Sequence, residues 1–331
     1  MAPSDQLRRD LIELGGAGVE IVEFGKAAGE ALAHTGPGIV RVGAHRRGPL
    51  PSDGLEAFDI LLSESPDAPR PWVAAPGEAL DRSLAQLRDQ VERQPAAAAA
   101  AAQVLRMTLK LAFDEALALE SLAYSMLLAS EGFRSWRAAT PARTRPEPPG
   151  PRVIVEARDG AIVIRLNRPA RRNAFDARMR DELAEALVFA LDHPDAPPVT
   201  LCGAGPAFSA GGDLDEFGQA GDVGLAHLVR TLRTPAGLAQ ALGDRLTARL
   251  HGPCVGAGIE VPAAAAHVVA ATGASFRLPE VSMGLIPGAG GAASIPRRIG
   301  RRRAAYMAIS GAEIDLPTAL AWGLVDKEAA A

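Results

Sequence analysis

The chain has 331 residues, 48% hydrophobic and 22% charged, with a formal net charge of −4. That length buries a sizeable core in two domains or in one large domain with an appendage, and the mild negative balance argues against nucleic acid as a partner. Cys202 and Cys254 are too few for a disulfide scaffold or a four-cysteine zinc site. No apolar run reaches the roughly 18 residues that span a bilayer, and MAPSDQLRRDLIELGG has no apolar core after its charges, so the expectation is no membrane contact and a cytoplasmic location.

Residues 1–75 alternate apolar runs (VEIVEF, GIVRVG, FDILLSE) with one helical pattern, GKAAGEALAHTG, in a small βαβ-like rhythm to which no function attaches. GAGVEIVEFG is too incomplete for a dinucleotide fingerprint. Residues 76–137 turn helical. EALDRSLAQLRDQVERQ places Leu84, Leu87 and Val91 on one face, and Pro95 opens a second helix through Val104, Leu105, Leu109 and Leu111. A third passes through Leu119, Leu122, Met126 and Leu127, with Glu120–Trp136 reading as one amphipathic helix. Residues 138–151 are proline-rich and read as an extended linker. From 152 to 331, strands (RVIVEARDG, AIVIRLNRP, PVTLCGAG), a helix (ARMRDELAEALVFALD) and glycine-rich turns alternate, which argues for an α/β body.

Three glycine-rich segments carry chemistry: PAFSAGGDLDEF (206–217), HGPCVGAGIEVP (251–262) and FRLPEVSMGLIPGAGG (276–291). Small residues where a strand meets a helix let a ligand approach the backbone and leave N–H groups that attract negative charge. Any one segment is equally well explained by tight turns. Three in order, the second carrying Glu260 and the third Glu280, are not.

These segments resemble those of the crotonase, or enoyl-CoA hydratase/isomerase, family. LNRPARRNAF (166–175) looks like its early acyl-CoA loop and EIDLPTALAWGLVD (313–326) like its later helix. The resemblance covers about 152–326 and implies a crotonase-like ββα superhelix. It also implies that the Ala210 and Ala257 N–H groups form an oxyanion hole for a thioester carbonyl, that Glu260 activates water and that Glu280 protonates Cα. Arg168, Arg171 and Arg172 would meet a coenzyme A phosphate, with Ala210, Gly211, Gly212 and Asp213 along the coenzyme, although a solvated arginine cluster and helix-capping aspartates (Asp213, Asp215) are the plain alternatives. His251 reads as a loop-positioning residue and His267 as a core residue of an apolar helix. Pro262 is tolerable only within a first helical turn.

Family chains continue past the G-L-V-D segment with further helices, whereas only KEAAA follows Asp326 here. Residues 76–137, including LLASE, resemble that C-terminal helical region, so the order looks circularly permuted. The resemblance further implies hydration of a 2-enoyl-CoA, with isomerase, hydrolase or decarboxylase chemistry and non-catalytic acyl-CoA binding as alternatives. It implies no prosthetic group or metal, coenzyme A only as part of the substrate, and a homotrimer or dimer of trimers.

Overall fold

The computed structural model describes residues 17–25, 36–144, 146 and 149–329. Four parallel strands, β1 Ala17–Glu23, β2 Gly38–His45, β3 Ile60–Ser63 and β4 Val73–Ala74, form one sheet in chain order. Val40, Val42, Ile60, Leu61 and Leu62 are fully buried, as a parallel sheet covered on both faces requires. Most of the helical pattern expected between β1 and β2, residues 26–35, lies outside the described residues.

Four helices follow: α1 Glu78–Arg93, α2 Pro95–Thr108, α3 Phe113–Leu128 and α4 Glu131–Ala139. In α1 the buried Leu80, Leu84, Leu87 and Val91 form the apolar stripe that a 3.6-residue period predicts. α2 begins on Pro95, whose missing N–H is harmless in a first turn. It ends at Thr108, so Leu109 and Leu111 fall beyond the helix to which their spacing assigned them, and Leu109 is exposed. The single helix expected over Glu120–Trp136 is two helices. Ser130 breaks it, its side chain accepting a hydrogen bond from Phe133 N–H at 3.3 Å to cap α4. The buried face of α3 is only in part the one expected: Leu127 is buried and Leu119 packs against the core. Leu122 and Met126 are 55% and 59% exposed, whereas Ala116, Leu117, Glu120 and Ser121 are buried.

The remainder opens with an antiparallel pair, β5 Val153–Arg158 and β6 Ala161–Leu166, then α5 Ala177–Leu191 and β7 Val199–Gly203. Next come α6 Val223–Leu232, α7 Pro235–Ala241, β8 Leu246–Leu250, β9 Pro253–Val255, α8 Ala257–Glu260, β10 His267–Ala270 and β11 Ser275–Arg277. The last elements are α9 Gly291–Ile299, α10 Arg301–Ser310, β12 Ile314–Asp315, α11 Leu316–Trp322 and β13 Lys327–Glu328. Six strands form a sheet in the order β13-β10-β8-β7-β6-β5, and β12-β11-β9 form a smaller one. His267 stands exposed at the start of β10, not inside an apolar helix, because the chain turns at Pro262–Ala264 and re-enters the sheet. Pro262 opens that short turn after α8 has ended at Glu260, which removes the conflict its ring would create inside a helix.

The early helices are integral to the core. α1 and α2 pack on α10, α3 packs on α6 and α9, and Val40, Leu87, Val104, Leu201, Phe276 and Ile309 share one buried cluster. Specific bonds tie the two parts together: Thr108 Oγ1 donates to Ala292 O at 2.6 Å, and buried Arg303 donates to Trp72 O at 2.8 Å.

Candidate active site

The segment after β6 is organised by Asn173. Its Nδ2 donates to the carbonyls of Ala204, Ala207 and Phe208 at 2.8, 3.0 and 3.0 Å, and its Oδ1 accepts from Arg168 N–H at 2.8 Å. This buried amide locks residues 168–173 onto 204–209 with its donors and acceptor satisfied. The adjoining glycine turn then takes a defined register. Ala210 N–H donates to Arg172 O at 2.8 Å, Phe175 N–H to Gly211 O at 2.8 Å, and Asp213 N–H to Phe175 O at 2.8 Å. A Cβ on Gly211 would stand 2.7 Å from Val255 O, so only glycine permits this approach.

That register corrects the oxyanion assignment. The Ala210 amide is engaged with Arg172, and neither Ala210 nor Gly211 lines the cavity. Gly212 does line it, and no acceptor faces its N–H among the described residues. Across the cavity, Ala257 opens α8, where the first N–H groups of a helix have no partner within it.

The arginines are also redistributed. Arg168 is 3% exposed; it donates to Ala174 O at 2.9 Å and pairs with Asp213 at 2.7 Å and Asp176 at 3.4 Å, so it braces this loop instead of reaching a phosphate. Asp213 is correspondingly an ion-pair partner and not a helix cap; the cap downstream is Asp222, which accepts from Gly224 and Leu225 N–H. Arg171 lies 3.9 Å from Asp215, and Arg172 is exposed. Asp215 likewise caps no helix; its Oδ1 accepts from Arg143 N–H at 2.9 Å. His251 Nε2 donates to Gly205 O at 2.9 Å, fixing the turn beneath the glycine segment.

Glu260 and Glu280 are brought together. Both line one cavity of about 250 Å³ and both are buried. Gly256 lies between them: its φ of +49° favours glycine, and a Cβ there would strike Glu280 Oε1 and come within 3.6 Å of Glu260 Oε1. Glu260 Oε2 accepts from Ala289 and Gly291 N–H at 2.7 and 3.0 Å. Burial pushes its carboxyl up to about 7, opposed by these amides. Glu280 Oε2 is buried with no hydrogen-bond partner among the described residues. Burial first, and then the charge of Glu260, raise its carboxyl well above the ordinary range. With two amide donors Glu260 ionises first, and its charge keeps Glu280 protonated.

Three cavity residues come from helices that carry no motif. Glu120, on α3, accepts from Gly290 and Ala292 N–H at 2.7 and 2.6 Å. Tyr124, one turn on, packs its ring against Gly288. Arg230 of α6 lies 4.9 Å from that ring, donates to Ser121 Oγ at 3.1 Å and bonds Ser125 Oγ. One signal was present for Glu120: an acid on the same helical face as Ala116 and Leu117. Among the described residues no cluster of His, Cys, Asp and Glu could hold a metal ion, and no helix is long and apolar enough to cross a membrane.

A family model described as enoyl-CoA hydratase/isomerase matches residues 156–331. Mevalonyl-coenzyme A hydratase of Beauveria bassiana is 34% identical over 173 residues, covering 50% of this chain and 62% of that protein. 2,3-Dehydroadipyl-CoA hydratase of Escherichia coli is 33% identical over 174 residues, covering 52% of this chain and 67% of that protein. A crystal structure of enoyl-CoA hydratase from Thermoplasma volcanium aligns with a TM-score of 0.50 at 32% identity, covering 54% of this chain and 72% of that one. The chain thus spans a little under two thirds of the mevalonyl-coenzyme A hydratase it matches.

Proposed function

The chain belongs to the enoyl-CoA hydratase/isomerase family, and on that premise we propose that its cavity adds water across the double bond of a 2-enoyl-CoA thioester. The observation that carries this reading is the convergence of Glu260, Glu280, Gly212 and Ala257 on one cavity. The thioester oxygen accepts hydrogen bonds from the Gly212 and Ala257 amides, which strengthen as negative charge develops on it. Ionised Glu260 takes a proton from water as the water oxygen bonds to Cβ, and the electron pair of the double bond moves to form the enolate. Neutral Glu280 then delivers its proton to Cα and the carbonyl reforms, so one water is added and no oxidant is needed. Return of a proton from Glu260 to Glu280 through solvent resets the pair.

The relatives match about half of this chain, and the helices at 78–139 pack on the matched half, with α3 lining its cavity. This supports a circularly permuted order, in which those helices stand in for a C-terminal helical region of the family and the segment 1–75 is an addition. Self-association as a trimer, or a dimer of trimers, is part of the same reading.

The test is direct. Purified protein with crotonyl-CoA is followed by loss of enoyl absorbance, alongside Glu260→Gln and Glu280→Gln. Each variant should lose roughly 10²–10⁴-fold in kcat, the usual contribution of one positioned acid or base. Full activity in both variants removes the two residues from the chemistry, and no turnover across an enoyl-CoA panel refutes hydration.

A further inference from the structure

The amides of residues 289–292 are shared, in alternation, between two carboxylates from distant parts of the chain. Ala289 and Gly291 N–H donate to Glu260 at 2.7 and 3.0 Å; Gly290 and Ala292 N–H donate to Glu120 at 2.7 and 2.6 Å. The segment is therefore gripped from both sides, and if either acid lets go, two buried donors are unsatisfied and the other acid's partners are free to turn. Gly291 leaves no slack, since a Cβ there would lie 2.6 Å from Glu260 Cγ.

From these bonds we infer that Glu120 is a positioning residue of the site: it clamps residues 289–292 against Glu260 and, once ionised, adds a second negative charge facing Glu280. The inference rests on the hydration reading for its kinetic consequence, while the clamp itself rests on the bonds. The groups facing Glu120 are Ser121 and Tyr124 of its own helix, Glu260 of α8, Glu280 after β11 and Arg230 of α6; His227 of α6 lies 2.9 Å from Ser121 Oγ, and Arg277 of β11 acts on Glu280. Burial first, and then Glu260, raise its carboxyl well above the ordinary range, opposed by the amides at the start of α9 and by Arg230; with those partners, which Glu280 lacks, it ionises before Glu280. An anion there disfavours ionisation of Glu280, so Glu120 helps keep the proton on the acid that must donate it. This residue lies outside the segment that matches the family model.

The experiment compares Glu120→Gln and Glu120→Asp with the parent, using pH–rate profiles on crotonyl-CoA and amide exchange of residues 289–292 by NMR. Glu120→Gln should lower kcat by roughly 10–100-fold, as small displacements of a positioned group do, with KM nearly unchanged. Its alkaline limb should move to lower pH by about half a unit or more, because removing a negative neighbour makes Glu280 easier to ionise. Ala289 and Gly291 amides should exchange faster although their acceptor, Glu260, is intact. Glu120→Asp keeps the charge, so its alkaline limb should return to the parent position while exchange at 289 and 291 stays raised by the shorter reach. A Gln profile that superimposes on the parent, with exchange at 289 and 291 unchanged, overturns the inference. If Glu120→Gln does not fold, Glu120→Asp decides: unchanged exchange at 289 and 291 overturns the clamp. Should the parent hydrate no 2-enoyl-CoA, the proposed function fails, and the exchange data still decide the clamp.

Discussion

The contact between Tyr124 and Gly288 is where the early helices meet the loop that holds Glu260, and it can be broken by a single methyl group. A Cβ at Gly288 would lie 2.6 Å from Tyr124 Cε2 and closer still to Cδ2, whereas carbon atoms rest about 3.5–4.0 Å apart. The overlap exceeds 1 Å, and the ring, with Arg230 against it, has restricted room to tilt. Overpacking of this kind costs about 1–3 kcal/mol, so Gly288→Ala should destabilise by about 2 kcal/mol. Tyr124→Ala alone should cost about 3 kcal/mol through the lost aromatic. In the Tyr124→Ala background the added methyl meets open space, so the double variant should be less unstable than the sum by about 1–2 kcal/mol. Urea unfolding with constant m-values measures all four corners of the cycle. Additivity to within about 0.5 kcal/mol would refute the packing described here, and with it the docking of α3 on the loop.

With the Glu260 carboxyl raised to about 7, kcat/KM should fall about tenfold per pH unit below that value, because the base must be ionised; a flat profile between pH 5 and 7 would contradict its role. Stability carries the same groups with a definite sign. Glu120, Glu260 and Glu280 titrate above their ordinary value of 4.5 in the folded chain, so between 4.5 and about 7 or above it binds more protons than the unfolded chain; their contribution is intact below about pH 4.5 and drains away as pH rises through the folded values, and thermal melts should show Tm declining from pH 6 to 9. Arg168→Met should destabilise by about 3–5 kcal/mol, the usual consequence of leaving a buried carboxylate without its cation, here Asp213, since Asp176 keeps Arg152 at 3.0 Å; an unchanged melt would show the arginine to be dispensable to the loop.

The sequence by itself determined the features whose physics is local. Gly211 and Gly256 announce turns only glycine can make, because the backbone or a carboxylate approaches where a Cβ would be. Leu84, Leu87 and Val91 announce α1, because an apolar face repeats with the helix period. Glu260 and Glu280 stood out from their glycine-rich surroundings, and the two do line one cavity. Tertiary structure alone decided the rest. Which amide of the first glycine turn faces the cavity depends on how that turn pairs with Phe175 and Arg172, and the pairing turns Ala210 away and Gly212 inward. Arg168 looked like any arginine of a basic cluster until Asp176 and Asp213, near and far in sequence, closed around it and buried it. Leu122 and Met126 have the spacing of a core face, yet α3 turns Glu120 and Ser121 inward, because the donors at the start of α9 and on α6 lie on that side. Burial of a charge is settled by partners that distant segments supply, and no local pattern encodes where those partners will stand.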